Sequence, residues 1–180
     1  HDALERAGAS PESIHKLTQE AVDALVVQEN ESLARQLGDH GIHHIRGDID
    51  MAMGMLKAVP GADTASQISE IYLSGIFHDA GYLTEPSQLF MDEGHVRWGQ
   101  EHFDENVRAV VSEALGDRSA RRVSTIIGTH ADTSIDWQNS PVESAFRTAD
   151  NMALFHSEKL PAIFRYDRGN LVLLENYATG

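Results

Sequence analysis

The stretch IFHDAGYL, residues 76 to 83, decides how this chain is interpreted, because it sets His78 and Asp79 at the end of an apolar run. The run from Ile71 to Phe77 has the composition of a buried helix. A carboxylate that enters such a helix end is costly in free energy unless a partner neutralises it. A divalent cation is a partner that histidine and aspartate can both bind. The pair therefore predicts a metal site.

The geometry of a helix limits how this pair can share an ion. Adjacent helical residues point about 100° apart. One ion bound by both side chains must lie between them, or two ions must share Asp79. A carboxylate that bridges two metals is therefore one of two arrangements that fit the pair, and a single ion between the side chains is the other. Asp150 repeats the anomaly among apolar helix neighbours, although Arg147, three residues earlier, offers an ordinary ion-pair partner.

The second predicted helix offers three histidines, His40, His43 and His44, and carries apolar residues on one stripe. His43 shares its side with Arg46 and Asp50, which is typical of a solvated face. His44 shares its side with Asp48 and several apolar residues, so we favour His44 as the inward ligand. His43 remains the alternative, and His40 is a candidate for supporting the site one turn earlier.

A later helix has a row of polar and small residues at the border of its apolar stripe, namely His95, Gly99, His102 and Asn106. Gly99 leaves space, which fits a helix that faces a cavity, and an exposed row is the alternative. His130 lies where the next predicted helix turns into a loop, a normal place for a site residue.

Composition limits the chemistry. The 180 residues fit one domain, and they include ten histidines and no cysteine. Disulfides, thiolate zinc sites and a cysteine nucleophile are therefore excluded. Histidine and carboxylate ligands suit iron, manganese or zinc, and magnesium is also compatible. We expect one or two such ions.

Charge and hydropathy bear on partners and location. A net charge of −14 argues against nonspecific binding to nucleic acid, which depends on basic surface. No uninterrupted apolar stretch of about 18 residues and no signal-peptide pattern occurs in the sequence. We therefore expect a cytoplasmic protein without a membrane span. The sequence predicts no oligomeric state.

The hydrophobic spacing is helical almost throughout and predicts an all-α bundle of about six helices. Helix starts are indicated at Ser10-Pro11, at Thr64 with Gln67, and at Ser140-Pro141. One continuous helix is predicted from about Asp92 to Leu115. After Pro161 the pattern changes to that of a short hairpin or an extended tail around Arg168-Gly169.

The order of the candidate ligands resembles the HD superfamily of metal-dependent phosphohydrolases, whose pattern is a histidine, a His-Asp pair and a distant aspartate. His78-Asp79-Ala80-Gly81-Tyr82 is similar to the family's usual continuation of the pair. His95 with Gly99 four residues later resembles the histidine of its two-metal branches, including the HD-GYP enzymes. The likeness covers residues from about 40 to 155, within one domain of residues 1 to 180. It departs from HD-GYP enzymes at His130, which is single and is followed by no Gly-Tyr-Pro motif.

The resemblance implies a role for each candidate. The implied metal ligands are His44, His78, Asp79, His95, His130 and Asp150, with Asp79 bridging and His102 as a substitute for His95. Asp79 and His78 are the implied catalytic residues. Arg46, Arg97 and His102 are candidates for binding a small phosphorylated substrate. The implied activity is hydrolysis of a phosphoester or phosphoanhydride by a metal-activated water. The same ligand set also fits a mixed-valent diiron oxygenase, and a non-catalytic HD regulatory domain is the third alternative.

Overall fold

A computed structural model of the protein describes residues 2–35, 41–62, 64–81, 94–156, 164–167 and 170–173. These residues form eight α-helices, one 3₁₀ turn and a two-stranded hairpin. In chain order the elements are α1 (Asp2–Arg6), α2 (Pro11–Arg35), α3 (Ile42–Ala58), α4 (Ala65–Phe77), the 3₁₀ turn η1 (His78–Ala80), α5 (Gly94–Asn106), α6 (Arg108–Leu115), α7 (Asp117–Thr129), α8 (Pro141–His156), β1 (Phe164–Asp167) and β2 (Asn170–Leu173). The predicted all-α class is therefore confirmed.

The predicted helix starts follow from local capping chemistry. Thr64 and Gln67 form a complete capping box at the start of α4, with the Thr64 side chain accepting from the Gln67 backbone N–H. The Ser10 hydroxyl accepts a hydrogen bond from the Ser13 backbone N–H at 3.1 Å, directly before Pro11 opens α2. Helix α8 begins at Pro141, as the sequence indicates. These starts are confirmed, and they fix where α2, α4 and α8 enter the bundle.

The predicted count of about six helices is two fewer than the described residues contain. The prediction of one helix up to Leu115 is wrong, because Val107, with φ −114° and ψ −34°, is a turn residue that separates α5 from α6. The Asn106 side chain donates to the carbonyl of His102 at 2.9 Å and so satisfies a group at the end of α5. The short helix α1 is the other addition. Helix α6 packs against α2 and α7.

The core consists of two clusters of buried apolar residues. The first packs α3 and α8 against α4 and α7, and it includes Ile49, Leu56, Ile71, Ile126 and Phe146. The second packs α2, α5 and α6 against the other sides of α4 and α7, and it includes Leu17, Phe77, Phe103, Val111 and Ile127. Helices α4 and α7 therefore contribute to both clusters.

A buried ion pair ties α4 to α7. Glu70 is 1 % exposed, and its carboxylate accepts from the Ser119 hydroxyl at 2.7 Å and from the Arg122 guanidinium at 2.8 Å. Both of its oxygens therefore have a partner, which is what a buried structural carboxylate requires. The pair fixes the two helices side by side.

Strands β1 and β2 pair antiparallel, so the predicted hairpin is present, while its turn residues Arg168 and Gly169 lie outside the described residues. The sequence also predicts one apolar stripe on α3, and the structure buries four of its five members but leaves Ile42, the first residue of the helix, 44 % exposed; the stripe consists of Ile42, Ile45, Ile49, Ala52 and Leu56. Gly38 is the expected end of the helix that opens at Pro11. This residue lies outside the described residues, and the helix is described up to Arg35.

Candidate metal centre

Two histidines at the centre of the site are held by the same local device. His78 follows the last residue of α4, and His130 follows the last residue of α7. The carbonyl groups of a helix C-terminus have no intrahelical partner, and each histidine satisfies one of them. His78 Nδ1 lies 2.9 Å from the Gly75 carbonyl, and His130 Nδ1 lies 2.8 Å from the Ile127 carbonyl.

These hydrogen bonds decide which ring nitrogen faces the site. A carbonyl oxygen only accepts, so the Nδ1 atom of each ring must carry the proton it donates. In the neutral rings of His78 and His130 the Nε2 atom is therefore unprotonated, and its lone pair faces the site. This is the tautomer that a metal ligand needs, with the other nitrogen fixed by a hydrogen bond.

Asp79 lies between two groups of histidine nitrogens. Its Oδ2 atom is 3.3 Å from His78 Nε2 and 3.4 Å from His44 Nε2. Its Oδ1 atom is 3.9 Å from His95 Nε2 and 3.8 Å from His130 Nε2. One carboxylate therefore presents one oxygen to each side, which is the arrangement of a bridging ligand.

Asp150 and Asp48 complete the side that contains His44. Asp150 Oδ1 lies 3.8 Å from His44 Nε2 and 3.7 Å from His78 Nε2. Asp48 Oδ2 lies 3.2 Å from His44 Nε2 and 3.7 Å from His78 Nε2. Each of two sets of side chains brings its ligand atoms within 4.8 Å of one another. We call them the first group (His44, Asp48, His78 and Asp150) and the second group (Asp79, His95 and His130).

The spacing within both groups suits a metal ion. Ligand atoms about 2.0–2.2 Å from a shared ion lie about 3.0–3.5 Å apart at tetrahedral or octahedral angles. His44 Nε2 and His78 Nε2 are 3.3 Å apart, and His95 Nε2 and His130 Nε2 are 3.1 Å apart. The donors are imidazole nitrogens and carboxylate oxygens, which suit iron, manganese or zinc. The residues present therefore fit one or two metal ions.

A close backbone approach places His95 beside Asp79. A Cβ atom on Gly81 would lie 2.7 Å from the Gly99 nitrogen and closer still to the His95 carbonyl oxygen. A Cβ atom on Gly99 would lie 3.0 Å from the His78 carbonyl oxygen. A side chain at Gly81 would force η1 and α5 apart, whereas one at Gly99 would require a shift of a few tenths of an ångström. The glycine that follows the His-Asp pair is thus a spatial requirement for the second group.

Burial and neighbouring charges explain the shifted pKa values of His78, His130 and Asp48. Burial lowers the pKa of His78, but the surrounding aspartates, with Asp79 foremost, outweigh burial and raise it to about 10. Burial, reinforced by the neighbouring His78, lowers the pKa of His130 to about 4. Burial raises the pKa of Asp48 to about 7. Without a metal, a proton on His78 balances part of the carboxylate charge, and a cation can take over this role.

The structure brings together all six predicted ligands and separates their alternatives. His44 is half-buried in the first group, whereas His43 is exposed. His95 belongs to the second group, whereas His102 belongs to neither group and contacts Asn106 on its own helix. His40 lies outside the described residues.

The predicted phosphate-binding arginines lie at the surface. Arg46 pairs with Asp50 at 3.6 Å, and Arg97 pairs with Glu101 at 3.7 Å, each within its own helix. Their side chains are 80 % and 69 % exposed. Substrate binding by them and by His102 stays a prediction. Arg147, the alternative partner of Asp150, instead donates to Thr129 and Ser134.

The sequence analysis missed Asp48 as a member of the site. The signal was present, because Asp48 lies four residues after His44 and therefore on the same helix face. A polar residue beside an apolar stripe is usually solvated, and nothing in the spacing distinguishes a solvated carboxylate from a buried one. The structure makes this distinction, because Asp48 is fully buried.

The described residues define a helical protein in which buried histidines and aspartates could hold metal ions. Comparison of the chain with protein-family models, curated proteins and solved structures found no match in any of the three. Within the described part of the chain, no helix combines the length and the apolar character that crossing a membrane requires.

Proposed function

We propose that the protein is a metal-dependent phosphohydrolase of the HD-superfamily type, acting on a phosphoester or phosphoanhydride of a nucleotide or another small metabolite. The observation that carries the proposal is the position of Asp79, whose two oxygens face two separate groups of histidine nitrogens. Two-metal hydrolases use this kind of shared carboxylate to hold their ions close together. The agreement between the family's order of ligands and their spatial convergence gives further support.

Each residue has a defined place in this proposal. His44, His78, Asp79 and Asp150 would hold the first ion, and His95, His130 and the other oxygen of Asp79 would hold the second. Divalent cations at such a site acidify a water molecule and neutralise the charge that develops on phosphoryl oxygens. Asp79 and His78 are the catalytic residues, because both would contact the ions directly at the centre of the site.

The exposure of the ligands indicates where a substrate approaches. His78 and His130 are 0 % and 2 % exposed, and their rings close the inner side of the site. The side chains of His44, His95 and Asp150 are 12 %, 12 % and 17 % exposed. A phosphoryl group would therefore enter on the side of these three residues, and the inner side would exclude water.

The charge of the site makes activity depend on metal. Three carboxylates, from Asp48, Asp79 and Asp150, converge on a small buried volume. Without cations they would repel a phosphorylated substrate, and the chain carries a net charge of −14. Arg46 and Arg97 are too exposed to offset this repulsion without a movement of their side chains.

The proposal is tested by assaying the protein on a generic phosphoester and on a set of nucleotides after loading with iron, manganese, zinc or magnesium. We expect hydrolysis that a chelator abolishes and that does not consume oxygen. Asp79→Ala should lose this activity and its metal but keep its helical circular dichroism spectrum. Asp50→Ala is the matched control, because Asp50 is an exposed aspartate on α3.

Three outcomes would contradict the proposal. Hydrolysis retained in Asp79→Ala would remove that residue from the chemistry. Oxygen consumption by an iron-loaded protein without hydrolysis would favour the diiron oxygenase. Metal bound at full stoichiometry without either activity would favour a non-catalytic regulatory domain.

A further inference from the structure

Asp48 and Glu70 are both buried carboxylates, and Glu70 lies away from the site. They differ in the hydrogen bonds that their oxygens accept. Glu70 satisfies both of its oxygens with Ser119 and Arg122. Asp48 is 0 % exposed, yet neither Oδ1 nor Oδ2 accepts a hydrogen bond from any residue that the structure describes. A buried carboxylate with no hydrogen-bond donor is rare and requires a specific compensation. A cation is the compensation that the surrounding side chains can position.

The position of the Asp48 carboxylate relative to the rings of His44 and His78 indicates whether it would bind the cation directly. A carboxylate that only orients a metal-binding histidine binds the ring nitrogen on the far side from the metal. In His78 that far nitrogen, Nδ1, is already held by the Gly75 carbonyl. Asp48 Oδ2 instead lies 3.2 Å from His44 Nε2 and 3.7 Å from His78 Nε2, the two nitrogens that face each other across the first group.

We infer that Asp48 is a direct ligand of the first ion, and that the two metal positions are therefore unequal. The first position is surrounded by five protein atoms: Nε2 of His44 and His78, Oδ2 of Asp48 and Asp79, and Oδ1 of Asp150. The second position has three: Nε2 of His95 and His130, and Oδ1 of Asp79.

The inequality has two consequences, which rest on the proposed two-metal function. Five protein ligands, three of them carboxylates, leave the first ion about one free position in octahedral coordination, so it binds tightly and exchanges slowly. Three protein ligands leave the second ion about three free positions, so this ion accepts the phosphoryl oxygens of the substrate. The second group also includes His95, one of the partly exposed side chains through which a substrate would enter.

The first experiment titrates metal-free protein with Mn²⁺ and measures stoichiometry and affinity by calorimetry and elemental analysis. The wild type should bind one ion tightly and a second more weakly. Asp48→Asn keeps the size of the side chain and an oxygen acceptor but removes the charge. It should weaken the tight ion by more than about 100-fold, beyond the roughly 10- to 100-fold typical of residues that act through a ligand.

Two controls separate a ligand from a packing residue. Asp50→Asn, on the exposed face of the same helix, should leave both affinities unchanged. Without metal, Asp48→Asn should melt at the same temperature as the wild type or higher, because it removes one of three converging carboxylates whose charge the neighbouring histidines only partly balance. Its stabilisation by added Mn²⁺ should be smaller. Unchanged affinity for both ions in Asp48→Asn would overturn the inference, and so would a loss confined to the weaker ion.

The second experiment uses inorganic phosphate as the probe for the open position. Wild-type protein with one equivalent of Mn²⁺ should bind phosphate weakly, and a second equivalent should strengthen binding by at least tenfold. Full phosphate affinity at one equivalent would overturn the assignment of the second ion as the substrate side. If phosphate does not bind at any loading but Asp48→Asn still loses the tight ion, the proposed phosphohydrolase function fails and Asp48 remains a ligand.

Discussion

Replacing Gly81 with alanine tests whether the contact between η1 and α5 builds the second group. Gly81 has φ −61° and ψ −29°, so alanine fits its backbone conformation, and the residue is needed for space alone. The new Cβ atom would lie 2.8 Å from the His95 carbonyl carbon and 2.7 Å from the Gly99 nitrogen. Ordinary contact begins at 3.4 Å, so the Gly99 nitrogen alone requires a separation of 0.7 Å, and the His95 carbonyl oxygen, which lies closer still, requires more.

This separation is large on the scale of metal coordination. His95 Nε2 already lies 3.9 Å from Asp79 Oδ1, and ligand distances must stay within about 0.2 Å of their ideal values. We therefore expect Gly81→Ala to lose the second ion and keep the first. Overpacking costs about 1–3 kcal/mol, against about 1 kcal/mol gained from the helix propensity of alanine. The net loss of up to about 2 kcal/mol corresponds to a melting temperature lower by at most roughly 8 °C.

The assay is elemental analysis of purified protein combined with thermal melting in the presence of a chelator. Gly54→Ala is the control, because a Cβ atom on Gly54 in α3 would have no neighbour within 4 Å among the described residues, and this variant should gain stability and keep both ions. Gly99→Ala should have an intermediate effect, because its Cβ atom would lie 3.0 Å from the His78 carbonyl oxygen. Two ions and an unchanged melting temperature in Gly81→Ala would refute this reasoning.

Two further predictions concern the second ion and pH. His95→Ala should reduce the metal content from two ions toward one and depress turnover, whereas His102→Ala should retain both ions. Elemental analysis of both variants, purified in parallel, measures the difference. The reverse pattern would contradict the assignment of His95 as the ligand. The metal-free His78 has a pKa of about 10 and must lose its proton to bind an ion, so metal affinity should rise by about tenfold per pH unit between pH 7 and 9. Calorimetry across this range measures the slope, and an affinity independent of pH would show that His78 is not a ligand.

The parts of the fold that sequence could predict are those that local chemistry determines. The capping box of Thr64 and the proline at Pro141 each require only a few neighbouring residues, and both predicted helix starts are confirmed. The break at Val107 was missed because no glycine or proline marks it. An apolar residue at a break has the same pattern as an apolar residue inside a helix, and only the packing of α6 distinguishes them.

The site, too, contains residues that local sequence indicates and residues that only tertiary packing identifies. His78 and Asp79 could be found because a charged pair beside an apolar run conflicts with its surroundings. Asp48 carries a weaker signal, because it lies four residues after His44 on a side with several apolar residues, but the sequence does not show whether a carboxylate beside an apolar stripe is buried or solvated. The spatial role of Gly81 was also hidden, since the contact that requires glycine comes from α5, whose described part begins 13 residues later along the chain. Contacts of this kind depend on tertiary structure, which a single sequence does not display.

The position of the His-Asp pair at a helix end has an electrostatic explanation. His78 and His130 each follow the C-terminus of a helix, and their rings lie 5.2 Å apart, so two helix C-termini point toward the same place. A helix C-terminus carries partial negative charge and favours cations. Asp79 adds a full negative charge where two such ends meet, which would be unfavourable on its own. The arrangement is stable only with positive charge at the centre, supplied by a proton on His78 or by a metal ion. A bound ion would therefore couple metal binding to the docking of α4 against α7, because it would stabilise the helix ends that hold its ligands.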